Sequence, residues 1–129
     1  MAMDTFGRHL LLDVWLDQDV GDDVVDGILA TVRRRLTVVR ESSHAFEPQG
    51  LTCVCILAES HFTLHTYPES RYLSMDVYSC NADLDLLKLE SELLKNLRVR
   101  DRHRTILERG RLSEHADVRV ERPSEIQWG

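Results

Sequence analysis

The chain is poor in the residues that organise several protein classes. It has three cysteines, Cys53, Cys55 and Cys80, in 129 residues. That odd, sparse set argues against a disulfide framework and is expected to stay reduced, as in a cytoplasm. Three prolines and six glycines form no linker-like cluster, and no repeat or low-complexity tract interrupts the chain. One domain spanning residues 1–129, with a single core, is therefore expected. No apolar run approaches the roughly 20 residues that a membrane-spanning helix needs. Met1 to Arg8 lacks the basic-then-apolar order of a signal peptide. An excess of positive charge is also missing: 16 basic against 22 acidic side chains leave a formal net charge of −6. This disfavours nucleic acid or an anionic membrane as the main partner, because both reward a basic surface.

What is present is alternation. His9 to Asp17 reads as a first strand, and Val24 to Leu36 as a helix with Val24, Val25, Ile28, Leu29 and Val32 on one stripe. The cations Arg33, Arg34 and Arg35 at its end complement the helix dipole. Further strands are expected over Thr37 to Glu41, Leu51 to Leu57, Ser60 to Tyr67 and Tyr72 to Ser79, with Ser42 to Gly50 a loop or strand end. Asn81 to Leu97 reads as a second helix capped by Asn81 or Asp83. Its stripe would be Leu84, Leu87, Leu94 and Leu97, with Glu90, Glu92 and Lys95 mostly off it. A last strand is placed near Thr105 to Glu108 and an irregular tail from Gly110. The pattern predicts an α/β (α+β) two-layer sandwich, with a mainly antiparallel sheet carrying two main helices on one face.

One stretch resists a purely structural reading. Glu59 to Glu69 contains Glu59, Ser60, His61, Thr63, His65, Thr66, Tyr67 and Glu69. Buried polar groups cost free energy unless partnered, and a strand built only for the core would not carry so many. His61 and His65 have a helical metal-ligand spacing, but on a strand they lie about 13 Å apart and cannot share an ion, so no metal is expected from them. Ser60 lacks the glycines of a nucleophile elbow, with Ala58 and Phe62 in their places. Cys53 and Cys55 read as small buried hydrophobes. Cys80 falls at a strand end before a helix, where the dipole could lower a thiol pKa, and is a candidate acid or nucleophile. The residues alone suggest an active site around Ser60, His65, Glu69 and Cys80 without naming a reaction.

The segment Glu59-Ser60-His61-Phe62-Thr63-Leu64-His65-Thr66-Tyr67-Pro68-Glu69 closely resembles the small prokaryotic S-adenosylmethionine decarboxylase proenzymes, which are pyruvoyl-dependent and self-cleaving. Gly7-Arg8-His9-Leu10-Leu11, Phe46-Glu47-Pro48-Gln49-Gly50, Asp76-Val77-Tyr78-Ser79-Cys80 and Glu108-Arg109-Gly110-Arg111 follow the same order and spacing, so the resemblance extends to about residue 112. It implies a carboxy-lyase that supplies aminopropyl groups for spermidine. It also implies that Ser60 attacks the carbonyl of Glu59, the cleavage site, and is converted to a pyruvoyl group by β-elimination. The chain would part into residues 1–59 and 60–129. The pyruvoyl group would form a Schiff base with the substrate amine and accept the electrons of decarboxylation. By the same resemblance His65 is the processing base, Thr52 assists processing and Cys80 is the proton donor. Phe46, His65, Tyr67 and Glu69 would bind substrate, with Phe46 and His65 flanking the adenine ring and Glu69 holding ribose hydroxyls; an aromatic face at Phe46 also suits a sulfonium cation. A homodimer of cleaved protomers is implied as well. Strict alternation would put Ser60 and His65 on opposite faces, so a bulge or a freed chain end is expected to reunite them. Tyr67 stands where the family usually has Trp, Ser70-Arg71-Tyr72-Leu73-Ser74 where it has Tyr-Gly-Tyr-Ala-Ala, and Asn81 where Gly is common. A pyruvoyl decarboxylase of ornithine or arginine therefore stands as the alternative, followed by a non-catalytic homologue.

Overall fold

The structure, a computed structural model, describes residues 5–112 and the strand at 120–121. In chain order the elements are β1 (Gly7–Leu16), α1 (Asp22–Arg35), β2 (Val38–Ala45), β3 (Leu51–Leu57), β4 (Ser60–Tyr67), a 3-10 turn (Pro68–Ser70), β5 (Tyr72–Ser79), α2 (Leu86–Leu93), β6 (Val99–Arg109) and β7 (Val120–Glu121). One sheet has the order β2-β3-β4-β5-β1-β6-β7 with every pairing antiparallel. β1 is thus inserted between β5 and β6. Gly7, at its start, lies against the Tyr78 ring, where a Cβ would sit 2.5 Å from a ring carbon.

Alternation divides the sheet into two unlike faces. Leu10, Leu12, Val14 and Leu16 of β1, Cys53, Cys55 and Leu57 of β3, Phe62 and Leu64 of β4, and Leu73, Met75 and Val77 of β5 are buried on the helix side. There they meet Val24, Ile28, Leu29 and Val32 of α1 and Leu86, Leu89 and Leu93 of α2. The other face carries His9, Asp13, His61, His65, Tyr72 and Asp76, and no described helix covers it. No helix among the described residues is long and apolar enough to cross a membrane.

The expected two-layer architecture is present, with strands at Leu51–Leu57, Ser60–Tyr67 and Tyr72–Ser79 as expected. α1 carries Asp22 and Asp23 in its first turn and Arg33, Arg34 and Arg35 in its last, as dipole complementarity requires. Arg33 and Arg35 also pair with Glu41 and Glu92.

Other elements differ. α2 is shorter than Asn81 to Leu97 and is capped by Asp85, whose Oδ1 accepts from the Lys88 amide at 3.0 Å. Asn81 cannot cap it because its Oδ1 accepts from the Asp83 amide, closing a local turn. This segment buries Leu94 of the expected stripe and packs Leu84 and Leu97 on the core, but it leaves Leu87 half exposed and buries Leu86, Leu89 and Leu93 instead. It also turns Glu90 inward, where Arg104 holds it through two bonds of 2.5 and 3.0 Å and Arg102 approaches to 3.3 Å. β2 continues to Ala45 as an exposed edge strand, whose polar residues disguise it as a loop. β6 is much longer than Thr105 to Glu108, because its arginines alternate to reach Glu90 while it pairs along β1. β7 pairs Glu121 and Val120 with Ile106 and Leu107, where only irregular chain was expected. The rest of that tail lies outside the described residues.

Candidate active site

Two separate clusters contain the residues singled out by sequence. The first surrounds the bend between β3 and β4. Ser60 opens β4 and is paired in register with Ser79, so Cys80 follows directly beside it. The Ser60 Oγ to Cys80 Sγ distance is 3.7 Å. A cleft of about 130 Å³ is lined there by Glu59, Ser60, Ser79, Asn81 and the end of α1 at Arg35 and Leu36. The expectation that Cys80 sits at a helix N-terminus is not met: α2 begins only at Leu86, because Asn81 to Leu84 form a turn. Cys80 is exposed, whereas Cys53 and Cys55 are buried, and burial raises both of their pKa values, that of Cys55 to about 12. Protonated and enclosed, those two are core side chains and not nucleophiles.

The second cluster lies at the far end of β4. Thr52 and His65 are cross-strand neighbours, and Thr52 Oγ1 is 2.9 Å from His65 Nδ1. In the tautomer where Nδ1–H donates to the threonine oxygen, Nε2 is left as a free base. Phe46, Gln49, Tyr67 and Glu69 join this pair around a cleft of about 290 Å³. Gln49 Nε2 donates to Glu69 Oε2 at 3.0 Å. The β2–β3 turn presents Phe46 through the Phe46 amide to Gly50 carbonyl bond of 2.8 Å. Gly50 has φ of 102°, a left-handed conformation suited to glycine. Phe46 is 49% exposed and meets the His44 ring in a T-shaped contact with centroids 4.7 Å apart.

β4 runs in unbroken register against both β3 and β5. No bulge reunites the two clusters, so of the two expected routes only a freed chain end is left. Ser60 belongs to the helix-side row with Phe62 and Leu64, and His65 to the opposite face. Five residues of strand also separate them by about 16 Å. Within one chain the two clusters therefore do not meet.

A third polar group lies on the helix-free face. His9 and His61 both aim Nε2 at Asp76 Oδ2, at 2.5 and 3.1 Å, and the Thr63 hydroxyl donates to Oδ1. Burial alone would raise the Asp76 pKa, but hydrogen bonds from His9, Thr63 and His61 outweigh it and hold it at about 2. The sequence offered only a weak signal for this trio: an aspartate in the middle of an alternating strand. Along the same face Tyr67, Tyr72 and Trp15 stack at 5.3 and 4.9 Å. Burial raises the Tyr72 pKa to about 12, reinforced by its hydrogen bond to Asp13.

Comparison with known proteins bears on the family and the fold. The family model described as S-adenosylmethionine decarboxylase matches residues 22–110. The S-adenosylmethionine decarboxylase proenzyme of Thermotoga petrophila is 34% identical over 117 residues, covering 87% of this chain and 90% of the relative. That of Bacillus cytotoxicus is 34% identical over 114 residues, covering 84% and 88%. The crystal structure of the adenosylmethionine decarboxylase from Aquifex aeolicus superposes with a TM-score of 0.71 at 28% identity, covering 88% of this chain and 98% of that one. Matched by that family model over most of its length and by relatives 34% identical, the chain belongs to the S-adenosylmethionine decarboxylase family.

Proposed function

We propose that this protein is a self-cleaving, pyruvoyl-dependent S-adenosylmethionine decarboxylase, active as a homodimer and supplying aminopropyl groups for spermidine. The observation that carries the reading is the Ser60–Cys80 contact of 3.7 Å beside the Glu59–Ser60 bond, in a chain of this family. In the cleavage, Ser60 Oγ attacks the Glu59 carbonyl carbon and the amide becomes an ester. A base then removes the Ser60 α-proton, which expels the Glu59 carboxylate and ends the first chain at residue 59; the dehydroalanine left at position 60 tautomerises to an imine, and water hydrolyses it to the pyruvoyl group with release of ammonia.

The site fits a pyruvoyl group. Ser60 lies at a strand start in a small cleft, with one cut bond needed to make it a chain terminus. That group supplies an electron sink for the loss of carbon dioxide. The remaining tasks fall to side chains. Cys80, beside residue 60, delivers a proton to the substrate carbon. Glu69, steadied by Gln49, accepts hydrogen bonds from vicinal hydroxyls. Phe46 offers its ring face to a sulfonium cation, and Tyr67 borders the same cleft. His65 Nε2, oriented by Thr52, is the base for elimination.

The two half-sites support the dimer. About 16 Å and a sheet separate Ser60 from the His65 of its own chain, whereas proton transfer needs roughly 3 Å. A second copy that brings its Phe46, Thr52, His65 and Glu69 against Ser60 and Cys80 completes the set. The unpaired thiols accord with a reducing, cytoplasmic setting. The deciding experiment measures carbon dioxide release from carboxyl-labelled adenosylmethionine, ornithine and arginine in parallel, alongside a mass spectrum of the purified protein. Two chains and release from adenosylmethionine alone are expected. A single intact chain, or release from ornithine or arginine instead, would overturn the proposal.

A further inference from the structure

The sheet assembles a group that no step above uses. β4, β5 and β1 are neighbours, and their register sets His61, Tyr78 and His9 in one row, with Asp76 one step along β5 on the same face. Both imidazole Nε2 atoms converge on the single oxygen Oδ2, and the three donor atoms lie within 4.8 Å of one another. We propose that His9, His61 and Asp76 form a binding site for a borderline divalent transition-metal cation such as Zn²⁺ or Co²⁺.

The donor set is of the right kind, since two imidazoles and a carboxylate suit these ions better than Mg²⁺ or Ca²⁺. At metal–ligand bonds near 2.0–2.1 Å, two ligands of a tetrahedral ion lie about 3.3 Å apart. The His61–Asp76 separation of 3.1 Å is already close to that, and the 2.5 Å of His9–Asp76 widens by less than about 1 Å. The cation takes the place of the two N–H protons now aimed at Oδ2. Thr63 holds the other carboxylate oxygen and so fixes the carboxylate plane, the outer-sphere support that ligands in metal sites commonly have. Partial burial favours the site, the His9 side chain being 13% and that of Asp76 21% exposed. Arg109 NH1 lies 3.3 Å from His9 Nδ1, which must carry the ring proton once Nε2 binds metal. Arg109 is exposed and already rests over the Tyr78 ring, 5.2 Å from its centre, so it has a seat to keep when that contact opens.

The probe is Co²⁺ titrated into the purified full-length protein and followed by its visible absorption, with Zn²⁺ as competitor. Saturation at one Co²⁺ per chain and displacement by Zn²⁺ are expected. His61→Ala and Asp76→Asn should each weaken binding at least about tenfold, while Cys80→Ser leaves it unchanged. His61 is the most exposed of the three, so its variant is the one most readily kept folded, as circular dichroism would show. Histidine ring NMR of the unaltered protein gives a second reading, in which Zn²⁺ should move the His9 and His61 signals and spare His44. Failure to saturate with Co²⁺, affinity retained in both ligand variants, binding lost with Cys80→Ser, or Zn²⁺ shifts confined to other histidines would each overturn the site.

Discussion

The separation of Ser60 from His65 makes a quantitative prediction about mixed dimers. A Ser60→Ala chain lacks the attacking hydroxyl but keeps Thr52, His65 and Glu69. A His65→Ala chain keeps Ser60 and Cys80 but lacks the base. Each alone should remain uncut. Within one chain the two groups lie on opposite faces of an unbroken strand, about 16 Å apart, and no side-chain rotation closes that gap. In a mixed dimer one site combines the intact Ser60 of one copy with the intact His65 of the other, and the second site has neither. Random pairing of equal amounts yields about half mixed dimers. About half of the His65→Ala chains should therefore be cleaved, and decarboxylation should recover to about a quarter of the wild-type level per site. Co-expression with two different affinity tags, tandem purification and mass spectrometry would read the cut chain directly. Cleavage of His65→Ala alone to the same extent would refute the reasoning. So would intact chains in dimers shown by both tags to be mixed.

Cys80→Ala should still self-cleave but turn over about 10²-fold or more slowly, and should lose activity during turnover through misplaced protonation; equal rates at matched pyruvoyl content would remove Cys80 from the chemistry. The depressed Asp76 pKa contributes stability that is complete above the unfolded value of 3.8 and is lost as pH falls toward about 2. The difference corresponds to about 2 kcal/mol, so Asp76→Asn should cost about that much at pH 7 by urea unfolding and little at pH 2. Glu90→Ala, in a Ser60→Ala background that keeps one chain, removes the buried carboxylate that Arg104 and Arg102 share and should cost about 2 kcal/mol; a loss under 0.5 kcal/mol would contradict its structural role. Cys53→Ala and Cys55→Ala should lower stability while leaving the rate per cleaved chain nearly unchanged, because both thiols are enclosed.

Three neighbouring strands were readable in advance, Leu51–Leu57 from its apolar run and the next two from alternation, with Gly50 and Pro68 as punctuation. The candidate site residues were readable for a related reason: most come from one short stretch or from segments with a fixed spacing to it. Glu90 was not. Its burial depends on Arg104 in a strand formed later, and a glutamate on a leucine-rich helix otherwise reads as solvent-facing. The His9–Asp76–His61 trio was equally hidden, since it requires the lateral order of three strands and their register. The separation of Ser60 from His65 was foreshadowed by alternation, but only the unbroken ladder removes the bulge as a remedy.

The insertion of β1 between β5 and β6 has a mechanical consequence for the cut protein. Residues 1–59 would hold β1, β2 and β3, and residues 60–129 the other described strands. Each fragment is then threaded through the other: β1 is clasped on both sides by strands of the second piece, and β3 lies along β4. Parting such pieces would mean tearing three ladders at once, so a new terminus at residue 60 would gain local freedom while the molecule around it would behave as a single solid, without a covalent tie across the break.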